Sequence, residues 1–177
     1  GATLRLVEDN GIISKEVRSA REVCEKLGIS HFTFDMREKF KAEVIDRFSA
    51  DYENGLTPNP CVECNKYIKF GGLLEKAVNE SCDFIATGHY SKIALDKATG
   101  RYLIIRPEDK RKDQTYVLWQ LSQHQLSHTL MPLGNMTKAE VRELAESYGF
   151  SSAGAKDSQD ICFVPDGDYA AFLQGYN

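Results

Sequence analysis

The sequence predicts an α/β protein built on a parallel sheet, and three observations carry the prediction. Short apolar runs alternate with amphipathic helical stretches from the first residues onward, the order that produces βαβ units. The run Cys82-Asp83-Phe84-Ile85-Ala86-Thr87 is of the continuous apolar kind found in strands covered on both faces. Gly88-His89-Tyr90 follows at its carboxyl end, where open α/β sheets receive their ligands.

Residues 2–7 form the first strand. Ser14 is placed to cap a helix in which Val17, Ala20, Cys24 and Leu27 recur at helical spacing, with Gly28 ending it. Cys24 falls on that apolar stripe and behaves there as a small core hydrophobe. His31-Phe32-Thr33-Phe34 gives a second strand, with His31 a surface residue at its entry. Residues 37–52 form an amphipathic helix that turns Phe40, Val44, Ile45 and Phe48 inward and its charges to solvent.

The next stretch, Gly55-Leu-Thr-Pro-Asn-Pro-Cys-Val-Glu-Cys-Asn-Lys-Tyr-Ile-Lys-Phe70, organises the chain. Pro58 and Pro60 fix their own φ and push Thr57 and Asn59 towards extended backbone, giving a stiff presenting loop. Cys61 and Cys64 stand three apart where a helical pattern begins. The helix dipole and the neighbouring Lys66 and Lys69 favour thiolate there, so nucleophile, redox partner and metal ligand are all open. A single Cys-x-x-Cys pair does not by itself specify zinc. The helix continues over residues 68–78, and Cys82 at the head of the following strand is read as packing.

Residues 91–95 and 101–105 flank a glycine turn and form a β-hairpin. Residues 106–114 carry four cations in nine positions, a surface loop suited to phosphate contacts. Trp119 is assigned to the core, and Ser122 opens a helix running to about Leu130. Thr137-Lys138-Ala139-Glu140 is a capping box, opening a helix with Val141, Leu144, Ala145 and Tyr148 on one face and Gly149 at its end. A second unit starts near here, giving a division into residues 1–130 and 131–177. Cys162 lies in a polar run that turns apolar, the setting of a buried strand cysteine.

Composition bounds the function. With 42% hydrophobic and 27% charged residues the chain is an ordinary globular one. No apolar run approaches the roughly 20 residues needed to cross a bilayer and no signal pattern opens the chain, so a soluble, cytoplasmic protein is expected. Five cysteines, odd in number and unevenly spaced, suit a reducing compartment. The net charge of −4 means that any nucleic-acid contact rests on local basic patches. The four histidines show no metal-ligand spacing, and the opening and closing residues suggest a fragment of a longer protein.

Four blocks together carry a resemblance. They are Thr57-Pro58-Asn59-Pro60 with Cys64-Asn65-Lys66-x-Ile68-Lys69-Phe70, Ala86-Thr87-Gly88-His89-Tyr90, Lys112-Asp113-Gln114, and Asp157-Ser158-x-x-Ile161-Cys162-Phe163. In order and separation they resemble the signature blocks of the tRNA-specific 2-thiouridylase family (MnmA type), across nearly the whole chain. The resemblance implies a Rossmann-like adenine nucleotide α-hydrolase (PP-loop) fold, a parallel sheet with helices on both faces, followed by the start of a smaller tRNA-binding domain. It implies ATP, with Mg2+, as the activator of the wobble uridine of tRNA, and a sulfur donor such as a cysteine desulfurase or a sulfur-relay protein.

On that resemblance Cys64 matches the catalytic cysteine and Cys162 the persulfide carrier. Asn59, Pro60 and Cys61 match the segment that meets the target base, His89 and Lys112, Asp113 and Gln114 match tRNA contacts, and Gly88 and Leu4 match positions bordering ATP. The family's Ser-Gly-Gly-Val-Asp-Ser nucleotide loop and its C-terminal barrel-like domain lie outside the 177 residues, which alone are not expected to adenylate. Cys61 stands where well-known members have an aspartate, which removes a candidate general base. It also creates a three-thiol set, Cys61, Cys64 and Cys162, able in principle to hold a [4Fe-4S] cluster. A non-catalytic module with Cys61 and Cys64 as zinc ligands is the competing reading, and a small-molecule enzyme of the same superfamily is a third.

Overall fold

The computed structural model describes residues 1–7, 15–151, 153–154, 161–164 and 167–176. Ser14 and the Asp157-Ser158 pair lie outside the described residues. Strand β1 (Ala2–Arg5) pairs in parallel with β2 (Phe32–Asp35), Leu4 opposite Phe34, and helix α1 (Lys15–Leu27) crosses between them. This is the βαβ unit the sequence predicts. Helix α1 buries Val17 and Cys24 and stops at Gly28, whose φ of +66° suits a residue without Cβ. Leu27, expected on the buried stripe, is exposed.

Helix α2 is continuous from Arg37–Phe40 through a π-helical Lys41–Ile45 to Asp46–Glu53. It buries Phe40, Val44 and Phe48, the face its periodicity predicts. Helix α3 begins at Pro60–Glu63, widens to a π-helix over Cys64–Gly72 and closes with Leu73–Asn79. Strand β3 (Ile85–Ala86) pairs in parallel with β6 (Thr129–Leu130), while β4 (Lys92–Asp96) and β5 (Arg101–Ile105) form the antiparallel hairpin. Helix α4 (Gln123–Ser127) lies between β5 and β6. Helices α5 (Lys138–Ser147) and α6 (Tyr169–Tyr176) complete the described elements. The α/β class holds, although the described strands form three two-stranded pairs rather than one continuous ladder.

Two apolar clusters hold these elements, and α3 contributes to both. Val62, Phe70 and Leu74 join Ile85, Leu118 and Leu126 on one side. Cys64 and Ile68 join Met36, Phe40 and Val44 on the other, with Leu4 and Phe163 packed against them.

Three expectations are corrected by local backbone structure. The strand predicted over 82–87 pairs only at Ile85 and Ala86, and Cys82 and Phe84 are exposed. The Cys82 amide is spent closing α3, donating to Ala77 O at 2.9 Å, and pairing starts only where Ile85 N reaches His128 O. Cys82 is therefore a surface thiol and not a packing residue. The helix predicted to run to Leu130 ends at Ser127, because the Thr87 amide draws Leu130 O into the β3–β6 pair. Trp119 is exposed, since the turn of 3-10 helix at Thr115–Val117 gives the inward positions to Val117, Leu118 and Leu121. Helix α5 has its capping box at Thr137 and Glu140 but leaves Leu144 and Tyr148 exposed.

One backbone crossing fixes the hairpin against the segment before α5. An ideal Cβ at Gly134 would lie 2.2 Å from Ser91 O, and Ser91 is fully buried. We expect Gly134→Ala to destabilise the fold by about 2–3 kcal/mol or more, as overpacking against backbone does. Gly100→Ala, at φ +68° in the open hairpin turn, should cost about 1–2 kcal/mol. Urea midpoints of the two variants test the order.

Candidate active site

Helix α3 starts on a cap the sequence writes plainly. Asn59 is the N-cap, its Oδ1 accepting the Cys61 amide at 3.1 Å, and Pro60 takes the first helical position, where no amide hydrogen is needed. This puts Cys61 on the exposed side of the first turn and Cys64, one turn on, on the buried side. Glu63 between them is held from two directions, by Gln120 Nε2 at 3.3 Å and by Arg47 at 3.4 Å. Behind Cys64, the buried Asn65 donates to Val117 O at 3.2 Å. The helix start is thus fixed to both α2 and the 113–120 segment.

Cys64 is 8% exposed, and burial pushes its thiol up to about 11. Lys69 opposes the shift, while charge on Cys162 and Cys61 adds to it. The expected resting thiolate is therefore corrected: desolvation outweighs the helix dipole and the lysines. Cys162 is exposed at the surface rather than buried in a strand, yet its thiol is also raised, by desolvation and then by Cys61. The following residue, Phe163, packs edge-on against Phe40 and Phe48 at 5.7 and 5.3 Å and joins the Cys64 cluster. Segments about a hundred residues apart in sequence thus bring Cys162 near enough for its charge to act on the Cys64 thiol, with Phe163 packed in the Cys64 cluster.

Gly88 is exposed just past β3. His89 points inward instead, 6% exposed, with its ring 5.4 Å from Phe70 and Nδ1 3.0 Å from Thr87 Oγ1. Burial, aided by Lys69, lowers its pKa to about 4, so it is neutral at pH 7. Beside Gly88 opens a groove of about 500 Å³ lined by Arg111, Lys112, Asp113, Gln114, Tyr116 and Lys138, with Tyr90 at its base. Gln114 clips the groove to the strand end through its Oε1, which accepts Tyr90 N at 2.9 Å. Leu4 does not reach this groove; it is half-buried against the Cys64 cluster.

The family model described as tRNA methyl transferase HUP domain matches residues 5–166. The chain belongs to that family. It is 49% identical to the tRNA-specific 2-thiouridylase MnmA of Pelotomaculum thermopropionicum, over 89% of this chain and 43% of the relative. It is 44% identical to the protein of the same name from Clostridioides difficile, over 100% and 51%, and 50% identical to that of Symbiobacterium thermophilum, over 89% and 41%. The chain spans about half the length of these relatives.

The HUP domain gathers the sequence-predicted residues into two neighbouring places. Cys61, Cys64, Asn59, Pro60 and Cys162 surround the start of α3, and Gly88, Lys112, Asp113 and Gln114 surround the groove. The sequence reading included Arg111 in its phosphate-contacting loop and missed Lys138 and Tyr116 as groove residues. Lys138 was legible as the first residue after a cap, but not its docking on Asp109, whose carboxylate accepts the Lys138 amide at 3.1 Å. Among the described residues no three His, Cys, Asp or Glu side chains are arranged to hold a metal ion. No helix among the described residues is long and apolar enough to cross a membrane.

Two pH responses follow from these burials. Alkylation by iodoacetamide should mark the exposed Cys61 well before Cys64, and the Cys64 rate should climb about tenfold per pH unit towards pH 11. Equal rates at neutral pH, read by peptide mass spectrometry, would show a preformed Cys64 thiolate. His89 binds its proton less readily folded than unfolded, so stability is full above pH 6.5 and falls as pH drops towards 4. That loss, up to about 3 kcal/mol, should shrink in His89→Gln when urea unfolding is followed against pH.

Proposed function

We propose that the protein containing this HUP domain is a tRNA-uridine 2-sulfurtransferase, transferring sulfur to C2 of the wobble uridine in an ATP-dependent reaction. The names of its relatives support the substrate and product. The observation that carries the chemical assignment is the convergence of Cys64 and Cys162, with Phe163 packed into the Cys64 cluster. ATP, with Mg2+, supplies the leaving group, since AMP transfer to the uracil O2 releases pyrophosphate and makes that oxygen displaceable.

Cys162 carries a persulfide received from a sulfur donor of the cysteine desulfurase or sulfur-relay class. Cys64, once deprotonated, attacks the Cys162 sulfur of that persulfide. A Cys64–Cys162 disulfide forms and the terminal sulfur leaves as hydrosulfide. Hydrosulfide adds to C2, AMP departs with the old oxygen, and an external dithiol reduces the disulfide. Lys69, whose charge favours the Cys64 thiolate, assists the deprotonation.

Membership of the family supports the remaining roles. Asn59, Pro60 and Cys61 meet the target base at the mouth of the α3 start. Lys112, Asp113 and Gln114 contact the tRNA along the groove, and neutral His89, buried against Phe70, lies between Gly88 and Tyr90 in sequence. Gly88, without a side chain at a strand end, and apolar Leu4 border the nucleotide. Residues 131–177 begin a tRNA-binding unit, and the reaction is placed in the reducing cytoplasm, where the thiols stay available.

The full-length protein, given ATP, unmodified tRNA and a sulfur donor, should yield 2-thiouridine detectable by nucleoside mass spectrometry. Cys64→Ser and Cys162→Ser should each abolish it, while Cys61→Ser retains measurable product. Wild-type yield from either of the first two variants would overturn the assignment.

A further inference from the structure

Two large aromatic side chains stand out of the surface between the thiols and the cationic groove. Trp119 is 68% exposed and Tyr116 is 65% exposed. Tyr116 lines the groove together with Lys112 and Lys138. Trp119 precedes Gln120, whose amide is bonded to Glu63 beside Cys64. The segment bearing the rings is anchored rather than loose. Val117 and Leu118 are buried, the Val117 carbonyl accepts Asn65 Nδ2, and Thr115 is pinned through both its amide and its hydroxyl to Asp113. Rings of this size are normally among the largest contributors to a core, yet a fixed turn holds both of them in solvent.

We propose that Tyr116 and Trp119 form a stacking platform for unpaired nucleobases of an RNA whose phosphates lie along the groove at Arg111 and Lys112. This rests on the RNA-substrate reading above and adds to it the residues that hold the strand. Every base has a π-face, so exposed aromatics beside cations are the combination that retains a single strand without reading its sequence. The surroundings favour nucleic acid over a protein partner. Around Tyr116 the groove carries Lys112 and Lys138, whereas lysine is depleted at the centre of protein interfaces.

The test uses the full-length protein with an unmodified tRNA transcript and, as a base-free polyanion, heparin. Trp119→Ala and Tyr116→Ala should each weaken transcript binding about tenfold, and Trp119→Phe should retain most of the affinity. Heparin affinity and the dependence of transcript binding on salt should stay as in the wild type for all three. Lys112→Ala, in contrast, should lower heparin affinity and reduce the salt slope by about 1. Circular dichroism melts confirm that each variant is folded. The platform is refuted if both alanine variants bind transcript like wild type, or if they lose heparin and transcript in equal measure. It is also refuted if they keep RNA and instead lose the sulfur-donor protein, which would make the rings a protein-docking face. A wild-type protein that binds heparin but not the transcript would sink the RNA-substrate reading itself.

Discussion

Helix α3 is buried on two sides, and the rest of the molecule is arranged around that constraint. A helix between two apolar clusters has to place Val62, Phe70 and Leu74 on one flank and Cys64 and Ile68 on the other. The π-helical stretch Cys64–Gly72 does this by spreading the turn beyond the usual 3.6 residues. Side-chain amides from outside the helix support the widened region. Gln125 Nε2 donates to Lys66 O at 2.8 Å while its Oε1 closes the capping box of α4, and Asn65 reaches outward to Val117. The wide turn also explains Gly71: an ideal Cβ there would lie 2.9 Å from the same Lys66 carbonyl.

Burial of α3 decides the state of Cys64. The helix dipole near the first turn contributes up to about 1 kcal/mol at exposed sites. A thiol moved from 9 to about 11 has lost roughly 2–3 kcal/mol of preference for its charged form. The second quantity exceeds the first even with Lys69 acting against it. Two cysteines three residues apart thus sit in different surroundings, Cys61 facing solvent and Cys64 facing Phe40 and Leu4.

Much of this was legible in the sequence, and the rest fails for identifiable reasons. Periodicity located α1, α2 and the continuing part of α3, and side-chain caps located the starts of α4 and α5, because these signals are local. The hairpin was legible from Gly100. The strand at 82–87 was overextended because nothing in its own residues shows that the Cys82 amide is taken by the end of α3. Trp119 was misplaced because hydrophobicity alone cannot say which residue of Val117, Leu118 and Trp119 a tight turn faces outward. In the site, the thiolate inference used only neighbours in sequence. The raised Cys64 pKa comes from Leu4, Phe40 and the Phe163 segment, which only folding brings near.

Charge at the groove follows the same logic of distant partners. Residues 106–114 mix cations with carboxylates, and the sequence alone cannot say which sign faces outward. The fold turns Asp109 and Asp113 into scaffolding, while the exposed Glu108 pairs with Lys92 at 3.7 Å. Asp109 is buried, accepts the Lys138 and Arg111 amides, and is kept below the usual carboxylate range first by the Lys138 bond. Asp113, although burial pushes it up, is held low overall by Thr115 and then by Arg106 at 2.7 Å. With Asp109 and Asp113 engaged by backbone amides, hydroxyl or guanidinium, the groove beside them is lined by Arg111, Lys112, Lys138 and Tyr116 as well as Gln114. A chain of net charge −4 can therefore present a locally positive surface, because its anions are consumed in fixing the turn that displays its cations.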